Sequence, residues 1–267
     1  MRRAARRAIR WLAFGGRRIA SALDALCNGL VVASLTREDL GRLTVEGWEA
    51  FGRQTPEEAD LFGWEKTFFA AHVNPGDTIL VVGAGTGRDV MPFLEAGHHV
   101  TAVDIATLAL ARLRSRAEAR SLAVDTIEGS IVSVSLPANS FDVVVFSWWM
   151  FGYIPGDQRP ASLSRARKAL RPGGRILLSY QMPAEGGSGG RSLSRLVSRA
   201  AGRLLRGLVV EQGDTISVSG SLSRPLALFC HTFTPAEVEE EGRRASLRVS
   251  FHDQIAGTSG RIVLVGD

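Results

Sequence analysis

A chain of 267 residues, 45% hydrophobic and 22% charged, fits one substantial globular domain and argues against two. Its two cysteines, Cys27 and Cys230, exclude a disulfide framework and a C-x-x-C knuckle, which makes a reducing cytoplasmic setting the default; its five histidines show no H-E-x-x-H or paired spacing, so no metal is expected. The net charge of +5 says little about partners, because Lys66 and Lys168 are the only lysines among 32 basic residues, and such an arginine bias can reflect the genome more than the task.

At the start of the chain, Arg2, Arg3, Arg6, Arg7 and Arg10 recur at helical spacing while Ala5, Ile9, Leu12 and Ile19 fall on another face. Residues 1–45 therefore read as a basic amphipathic helical extension, suited either to peripheral contact with an anionic membrane or to a solvated cap. The run from Ile19 to Leu35 is short for a span and contains Asp24 and Asn28, which argues against a transmembrane helix and a signal peptide. Residues 36–76 should be mostly helical and cover the mouth of the site, with Trp48 and Trp64 either closing over it or belonging to the helical cap, and with His72 a base by chemistry but, as a lone histidine, more often structural. Pro75-Gly76 punctuates the approach to the first strand.

From Asp77 to Ile105 the sequence DTILVVGAGTGRDVMPFLEAGHHVTAVDI contains a whole βαβ unit. Ile79 to Val82 suits a strand buried on both faces, Gly83-Ala84-Gly85-Thr86-Gly87 follows as a tight turn, Arg88 to Ala96 is a helix ended by Gly97, and His99 to Val103 returns as a second buried strand. Asp104 ends that strand 21 residues past Gly83, a spacing at which a carboxylate accepts both hydroxyls of a ribose lying across the sheet edge. A dinucleotide fingerprint needs glycine at position 88, and that residue is Arg. G-x-G-x-G suits instead a cofactor that presents a carboxylate and an amine. A glycine-rich loop with no ligand is the bland alternative, which the joint occurrence of strand, loop, helix, strand and acid disfavours.

Further along, Val124 to Glu128 reads as a third strand followed by Gly129-Ser130-Ile131. Val143 to Phe146 is a fourth strand approached through Ser140-Phe141-Asp142. Leu170-Arg171-Pro172-Gly173-Gly174-Arg175 is a turn into a fifth, Ile176 to Ser179. Together these landmarks resemble the class I S-adenosylmethionine-dependent methyltransferases, of the type 11/25-like kind, over about residues 46–267. The resemblance implies an α/β fold, a Rossmann-like doubly wound seven-stranded sheet of order 3-2-1-4-5-7-6 with the last strand antiparallel, preceded by an N-terminal helical cap. It also implies S-adenosylmethionine as cofactor, bound by Gly83, Ala84, Gly85, Gly87, Asp104, Ile105, Ser130, Ile131 and Ser147. Where the family often has Gly-Asp-hydrophobic, with the acid accepting the adenine amino group, this chain has Ser130, whose hydroxyl is a weaker acceptor.

After the fifth strand, Glu185 to Gly190 is a hinge, and Leu193, Leu196, Val197, Ala200, Leu204 and Leu208 repeat at helical spacing opposite Arg191, Arg195, Arg199, Arg203 and Arg206. This insert, about residues 183–230, reads as a lid over the acceptor pocket or as a packed amphipathic helix with a solvated Arg face. Gly213 to Ser219 and Leu226 to Thr232 form a hairpin-like pair, Thr234-Pro235 with Glu237 starts a helix, and Ser246 to Phe251 and Arg261 to Val265 are the terminal strands.

The chemistry so implied is attack of an acceptor nucleophile on the methyl carbon of a sulfonium, aided by in-line positioning and exclusion of water. Trp148, Trp149 and Tyr153, after the fourth strand, are candidates to stabilise the sulfonium or line an apolar acceptor pocket, with core or lid packing as their alternative. Ser147-Trp148-Trp149-Met150 is unlike the Asn/Asp-Pro-Pro-Tyr/Phe motif, which disfavours adenine-in-DNA and glutamine acceptors, and Ser147 stands where a catechol-type enzyme would need an acidic ligand. No catalytic base can be assigned. The expected acceptor is a small or lipid-like molecule. Two alternatives stay open: a nucleic-acid methyltransferase using the Arg-rich surfaces, although no nucleic-acid-binding signature accompanies them, and a non-catalytic methyltransferase-like module. Removing the Asp104 side chain should weaken cofactor binding at little cost in stability, since it takes away a ligand contact and no core volume.

Overall fold

The computed structural model describes residues 16, 19–20, 22–24, 26–27, 29–54, 60–146, 148–183, 196, 200, 211–221, 224–255 and 258–266. The chain divides into two units, Met1–Leu43 with Glu185–Leu228 and Thr44–Ala184 with Phe229–Asp267. The insert helix expected around residues 191–208, apart from helical Leu196 and Ala200, lies outside the described residues, as do Arg2 to Arg10 and Ser147.

Two helices precede the sheet. The first, α1 (Arg37–Gln54), begins at a reciprocal cap in which Asp39 N–H donates to Thr36 Oγ1 and Thr36 N–H donates back to Asp39 Oδ2. The second, α2 (Gly63–His72), buries Phe68 and Phe69. The expected helical content of 36–76 is found in the described part.

The sheet is built from β1 (Thr78–Val82), β2 (His99–Asp104), β3 (Asp125–Glu128), β4 (Phe141–Phe146), β5 (Leu170–Gln181), β8 (Leu247–Ile255) and β9 (Ser259–Gly266). A separate two-stranded sheet pairs β6 (Asp214–Ser221) with β7 (Arg224–His231). The seven strands lie in the order β3-β2-β1-β4-β5-β9-β8. Once the hairpin strands are set aside, this is the expected 3-2-1-4-5-7-6. Strands β1 to β5 pair in parallel, with Val82 opposite Val103 and Val81 opposite Val145, whereas β9 runs antiparallel to both β5 and β8.

Strand residues alternate between two apolar layers, as a period of two requires. Leu80, Val82, Val144, Phe146, Ile176 and Leu178 pack with Leu163 and Ala166 of α5 (Arg159–Ala169) and Val238 of α6 (Pro235–Arg244). On the opposite face Ile79, Val81, Val143, Val145 and Leu177 meet Phe68 of α2, Phe93 of α3 (Val90–Glu95) and Leu113 of α4 (Thr107–Ala119). With both faces covered, the central strands can be apolar throughout, which is why they are continuous Val/Ile/Leu runs in the sequence. Across the first layer, Arg159 reaches Glu241 at 3.0 Å and ties α5 to α6.

Two local expectations need adjustment. Helix α3 starts at Val90 rather than Arg88, because Arg88 and Asp89 belong to the turn leaving the glycine loop; Gly97, at φ +86°, ends it as expected. The expected turn at 170–175 lies inside β5: Phe141 pairs with Leu170 and Val143 with Arg175, so Arg171 to Gly174 loop out as a bulge with Gly173 at φ +79°.

Candidate functional site

In the order β3-β2-β1-β4-β5 the sheet reverses its winding between β1 and β4, so loops leaving the carboxyl ends of those two strands part and leave a crevice. The glycine loop occupies this place. Gly83, Gly85 and Gly87 have φ of +72°, +54° and +92°, conformations that side-chain-bearing residues adopt only at a cost. Gly83 N–H and Ala84 N–H both donate to Val103 O, at 2.8 and 3.1 Å, so the loop folds back over the end of β2.

Each glycine has its own reason. A Cβ on Gly83 would run into Met150 Cγ, and one on Gly87 into Leu113 Cδ1; these two permit close packing within the protein. A Cβ on Gly85 would meet no atom within 4 Å. The open face of the loop is therefore at Gly85, and Ala84 behind it is buried.

Asp104, at the end of β2, holds this loop. Its Oδ2 accepts Gly85 N–H at 2.7 Å and its Oδ1 accepts Ala106 N–H at 2.8 Å. Burial pushes its carboxyl pKa above the ordinary value, against the lowering effect of the Ala106 and Gly85 N–H groups, and the charge of Glu49 raises it further. Each carboxylate oxygen keeps a second acceptor position. Glu49, on α1, also accepts the N–H of Leu108 at the start of α4, at 3.3 Å from either oxygen, and so brings a second carboxylate to this edge. Ile105 is half-buried beside Asp104.

Next to it, Gly129 N–H donates to Asp104 O at 2.8 Å, which seats the end of β3 against the end of β2. Ser130 follows, half-buried, its Oγ accepting a long 3.4 Å bond from Val132 N–H. Ile131 is 2% exposed and packs in the core layer with Leu80 and Val103, beneath the edge.

After β4 the backbone does something unusual. Trp148 and Trp149 have φ of +46° and +61°, two adjacent left-handed residues that are not glycine, at a cost of about 1–2 kcal/mol each. Two bonds offset this: Trp149 N–H donates to Ser179 Oγ of β5 and Trp149 Nε1–H to Ser259 Oγ of β9, both at 3.1 Å. Trp149 is thus anchored to the sheet, whereas the Trp148 ring receives the Arg88 guanidinium at 4.6 Å. Tyr153, in the short helical turn Met150–Tyr153, packs edge-on against Trp48 with ring centroids 4.8 Å apart. Burial, and secondarily Cys230, pushes the Tyr153 phenol up to about 12, so it is a hydrogen-bond donor and no base at neutral pH.

Sequence reasoning treated Arg88 only as a missing glycine. Its guanidinium forms a two-pronged pair with Glu65 of α2, both bonds 2.7 Å, and meets Asp89 at 2.6 Å; Arg88 and Glu65 are 7% and 0% exposed. It also lies 5.3 Å from the Phe62 ring centroid. Arg88 therefore joins the glycine loop, the segment after β4 and the start of α2. The only signal for it was a long cation directly after G-x-G-x-G, and nothing in the spacing named Glu65 as its partner. Trp64, for its part, stacks on Phe62 at 6.2 Å, and its carbonyl accepts Arg261 at 3.2 Å. His72 sits between Phe68 and Phe251, with ring centroids 5.1 and 4.9 Å away.

Residues 79–174 match the sequence family described as a methyltransferase domain. A ubiquinone/menaquinone biosynthesis C-methyltransferase of Ruegeria sp. is 36% identical over 118 residues, which are 42% of this chain and 46% of that protein. The ribosomal protein L11 methyltransferase of Thermus thermophilus is 30% identical over 137 residues, 51% of this chain and 50% of that protein. The chain thus spans about half the length of these relatives. Among solved structures, the CcbJ methyltransferase of Streptomyces caelestis superposes with a TM-score of 0.61 at 17% identity, covering 84% of this chain and 98% of that one. The 1,6-didemethyltoxoflavin-N1-methyltransferase of Burkholderia thailandensis gives 0.54 at 20% identity, covering 86% and 87%.

Proposed function

We propose that this chain, whose central segment is a class I S-adenosylmethionine-dependent methyltransferase domain, transfers the methyl group of that cofactor to a small or lipid-like acceptor. One observation carries the reading. Gly85 combines a left-handed backbone, open space where a side chain would stand, and an N–H fixed by the Asp104 carboxylate at the end of β2, a position suited to a ribose. Gly83, Ala84 and Gly87 complete the loop, Asp104 and Glu49 supply acceptors for sugar hydroxyls, and Ile105, Ser130 and the backbone at Ile131 line the adenine side. The bound cofactor supplies an electrophilic methyl group on a sulfonium.

What the protein adds is position and dryness. Methyl transfer to a nucleophile that carries a free lone pair or an enolised carbon needs alignment with the departing sulfur more than it needs a protein nucleophile. The Trp148 ring, held in place by Arg88, and the Trp48–Tyr153 pair present aromatic surface around the end of β4, suited to a flat or apolar acceptor. Relatives named for quinone biosynthesis and for a toxoflavin precursor point toward the same acceptor class. Residues 183–230 are where acceptor recognition would be inserted, with the methyltransferase domain running from about residue 46.

Calorimetric titration with S-adenosylmethionine, S-adenosylhomocysteine and NADH tests the reading. Binding of the first two and not the third is expected, followed by methyl transfer to a hydroquinone or heteroaromatic acceptor. Binding of none, or of NADH alone, would refute it.

A further inference from the structure

The unit formed by Met1–Leu43 and Glu185–Leu228 carries a feature that methyl transfer does not use. Every described residue from 19 to 34 is helical. On this stretch Ile19, Leu23, Leu26 and Leu30 are 64%, 57%, 39% and 49% exposed. Their spacings of four, three and four residues put all four on one helical face, a stripe about 16 Å long at 1.5 Å per residue. Large aliphatic side chains in such a row normally mark the side of a helix that packs on a core, and here water covers them. Asp24, also exposed, falls away from the stripe by helical spacing. Farther along, Val32 and Ala33 are buried, at 3% and 0%, so the exposed stripe adjoins packed residues.

Charge says what fits the stripe. Seven arginines stand between Arg2 and Arg18, and no acidic residue precedes Asp24. We infer that this segment seats on an anionic lipid surface, the Ile19–Leu30 stripe sinking into the interface and the arginines meeting the headgroup phosphates and carboxylates. An apolar face next to a dense cationic run is the combination that binds such surfaces, each part reinforcing the other. A second copy of the chain is a poorer occupant, since it would bring its own cluster of arginines with no acidic run to answer it. Asp24 and Asn28 interrupt the run from Ile19 to Leu35, which favours a segment lying on the bilayer over one crossing it. This inference goes beyond the proposed activity and does not depend on which acceptor is methylated.

Sedimentation of the full chain with phosphatidylcholine vesicles, with and without phosphatidylglycerol, tests it. Co-sedimentation only with the anionic vesicles is expected, weakening as salt is raised. Leu23→Asp with Leu26→Asp should lower partitioning by roughly tenfold or more while leaving the thermal melt unchanged, since both side chains are exposed. Arg6→Gln, Arg7→Gln and Arg10→Gln together should lower it on anionic vesicles as well. Wild-type protein left in the supernatant with both vesicles would overturn the inference. So would an aspartate variant that partitions as the wild type does, or a dimer in light scattering that this variant dissolves. Cofactor titration of the same preparations reads the glycine-loop site separately, so failure of one reading is not mistaken for failure of the other.

Discussion

Replacing Asp104 by alanine probes fold and site together. The change removes two backbone-to-carboxylate hydrogen bonds, of 2.7 and 2.8 Å, each worth about 1.5–3 kcal/mol. Against that gain stands the burial that already pushes the carboxyl pKa up, together with the charge of Glu49. The net loss should be about 2–4 kcal/mol, a drop in Tm of roughly 5–15 °C. That exceeds the small cost expected from the sequence, where Asp104 figured only as a ligand contact. Asp104→Asn keeps one acceptor oxygen for two N–H groups and should fall between. The sign of the pH effect follows from the raised pKa: ionised Asp104 disfavours the fold above its folded pKa, and that penalty fades as pH falls to the unfolded value near 3.8. Wild type should thus gain on Asp104→Asn as the solution is acidified, while its cofactor affinity declines. Thermal unfolding with and without S-adenosylmethionine is the assay, and in both variants the rise in Tm caused by cofactor should largely vanish. An alanine variant that melts within about a degree of wild type and keeps its affinity would refute both the clamp and the ribose role.

The three glycines separate packing from binding. Gly85→Ala should cost only the left-handed backbone term, about 1–2 kcal/mol, yet reduce cofactor affinity roughly tenfold or more, whereas Gly87→Ala also collides with Leu113 and should lose about 2–4 kcal/mol of stability. Melts and calorimetry on the pair decide it, and parallel losses in both variants would sink the assignment. Arg88→Ala leaves Glu65 buried without its partner and should cost about 3–5 kcal/mol, most of it regained by Arg88→Met with Glu65→Leu. Urea unfolding that finds the double variant no better than the single one would rule out the ion pair as the cause. His72 is held below its ordinary pKa of 6.5 by burial and by Arg175 and Arg261, so the unfolded chain binds the extra proton and stability is lost as pH falls through 6.5 toward the folded value. His72→Phe keeps the packing against Phe68 and Phe251 and should flatten that slope in melts taken across this range; an unchanged slope would place its origin elsewhere.

The order of the sheet could be read from the sequence because parallel strands covered on both faces are written as uninterrupted aliphatic runs, and each such run here is followed by a turn residue that fixes its end. Ile79 to Val82 before Gly83 is of this kind, His99 to Val103 before Asp104 carries a weaker version of it interrupted by Thr101, and β1 and β2 begin and end within a residue of the expectation. Thr234 with Glu237 is equally local, and the structure shows the reciprocal cap. Arg171 to Gly174 misled for a physical reason. Proline and glycines signal a reversal of the chain, but the four residues Arg171 to Gly174 stand opposite the single Asp142 of β4, so they are absorbed as a bulge.

The candidate site divides along the same line. Its backbone half, the glycine loop and Asp104, was legible because both the turn conformation and the spacing across one βαβ unit are local properties of the chain. Its side-chain half was not. Arg88 meets Glu65, 23 residues earlier, and Trp148, 60 residues later, and no periodicity links positions so far apart. The third-glycine rule argued against a pyrophosphate site but left the arginine itself unexplained. Its use is to stiffen. Trp148 and Trp149 carry left-handed backbone, which the chain keeps only where neighbours over-determine it. The neighbours are Ser179 and Ser259 on one residue and the Arg88 guanidinium on the other. Because Arg88 leaves the same loop whose Gly85 faces open space, loss of the Glu65 pair should loosen the aromatic wall and the glycine loop at once. Arg88→Lys keeps the charge but not the fork, so it should weaken cofactor binding and red-shift the tryptophan emission in step. A lysine variant that binds cofactor normally while its tryptophan spectrum changes would show that the two elements are not coupled through this residue.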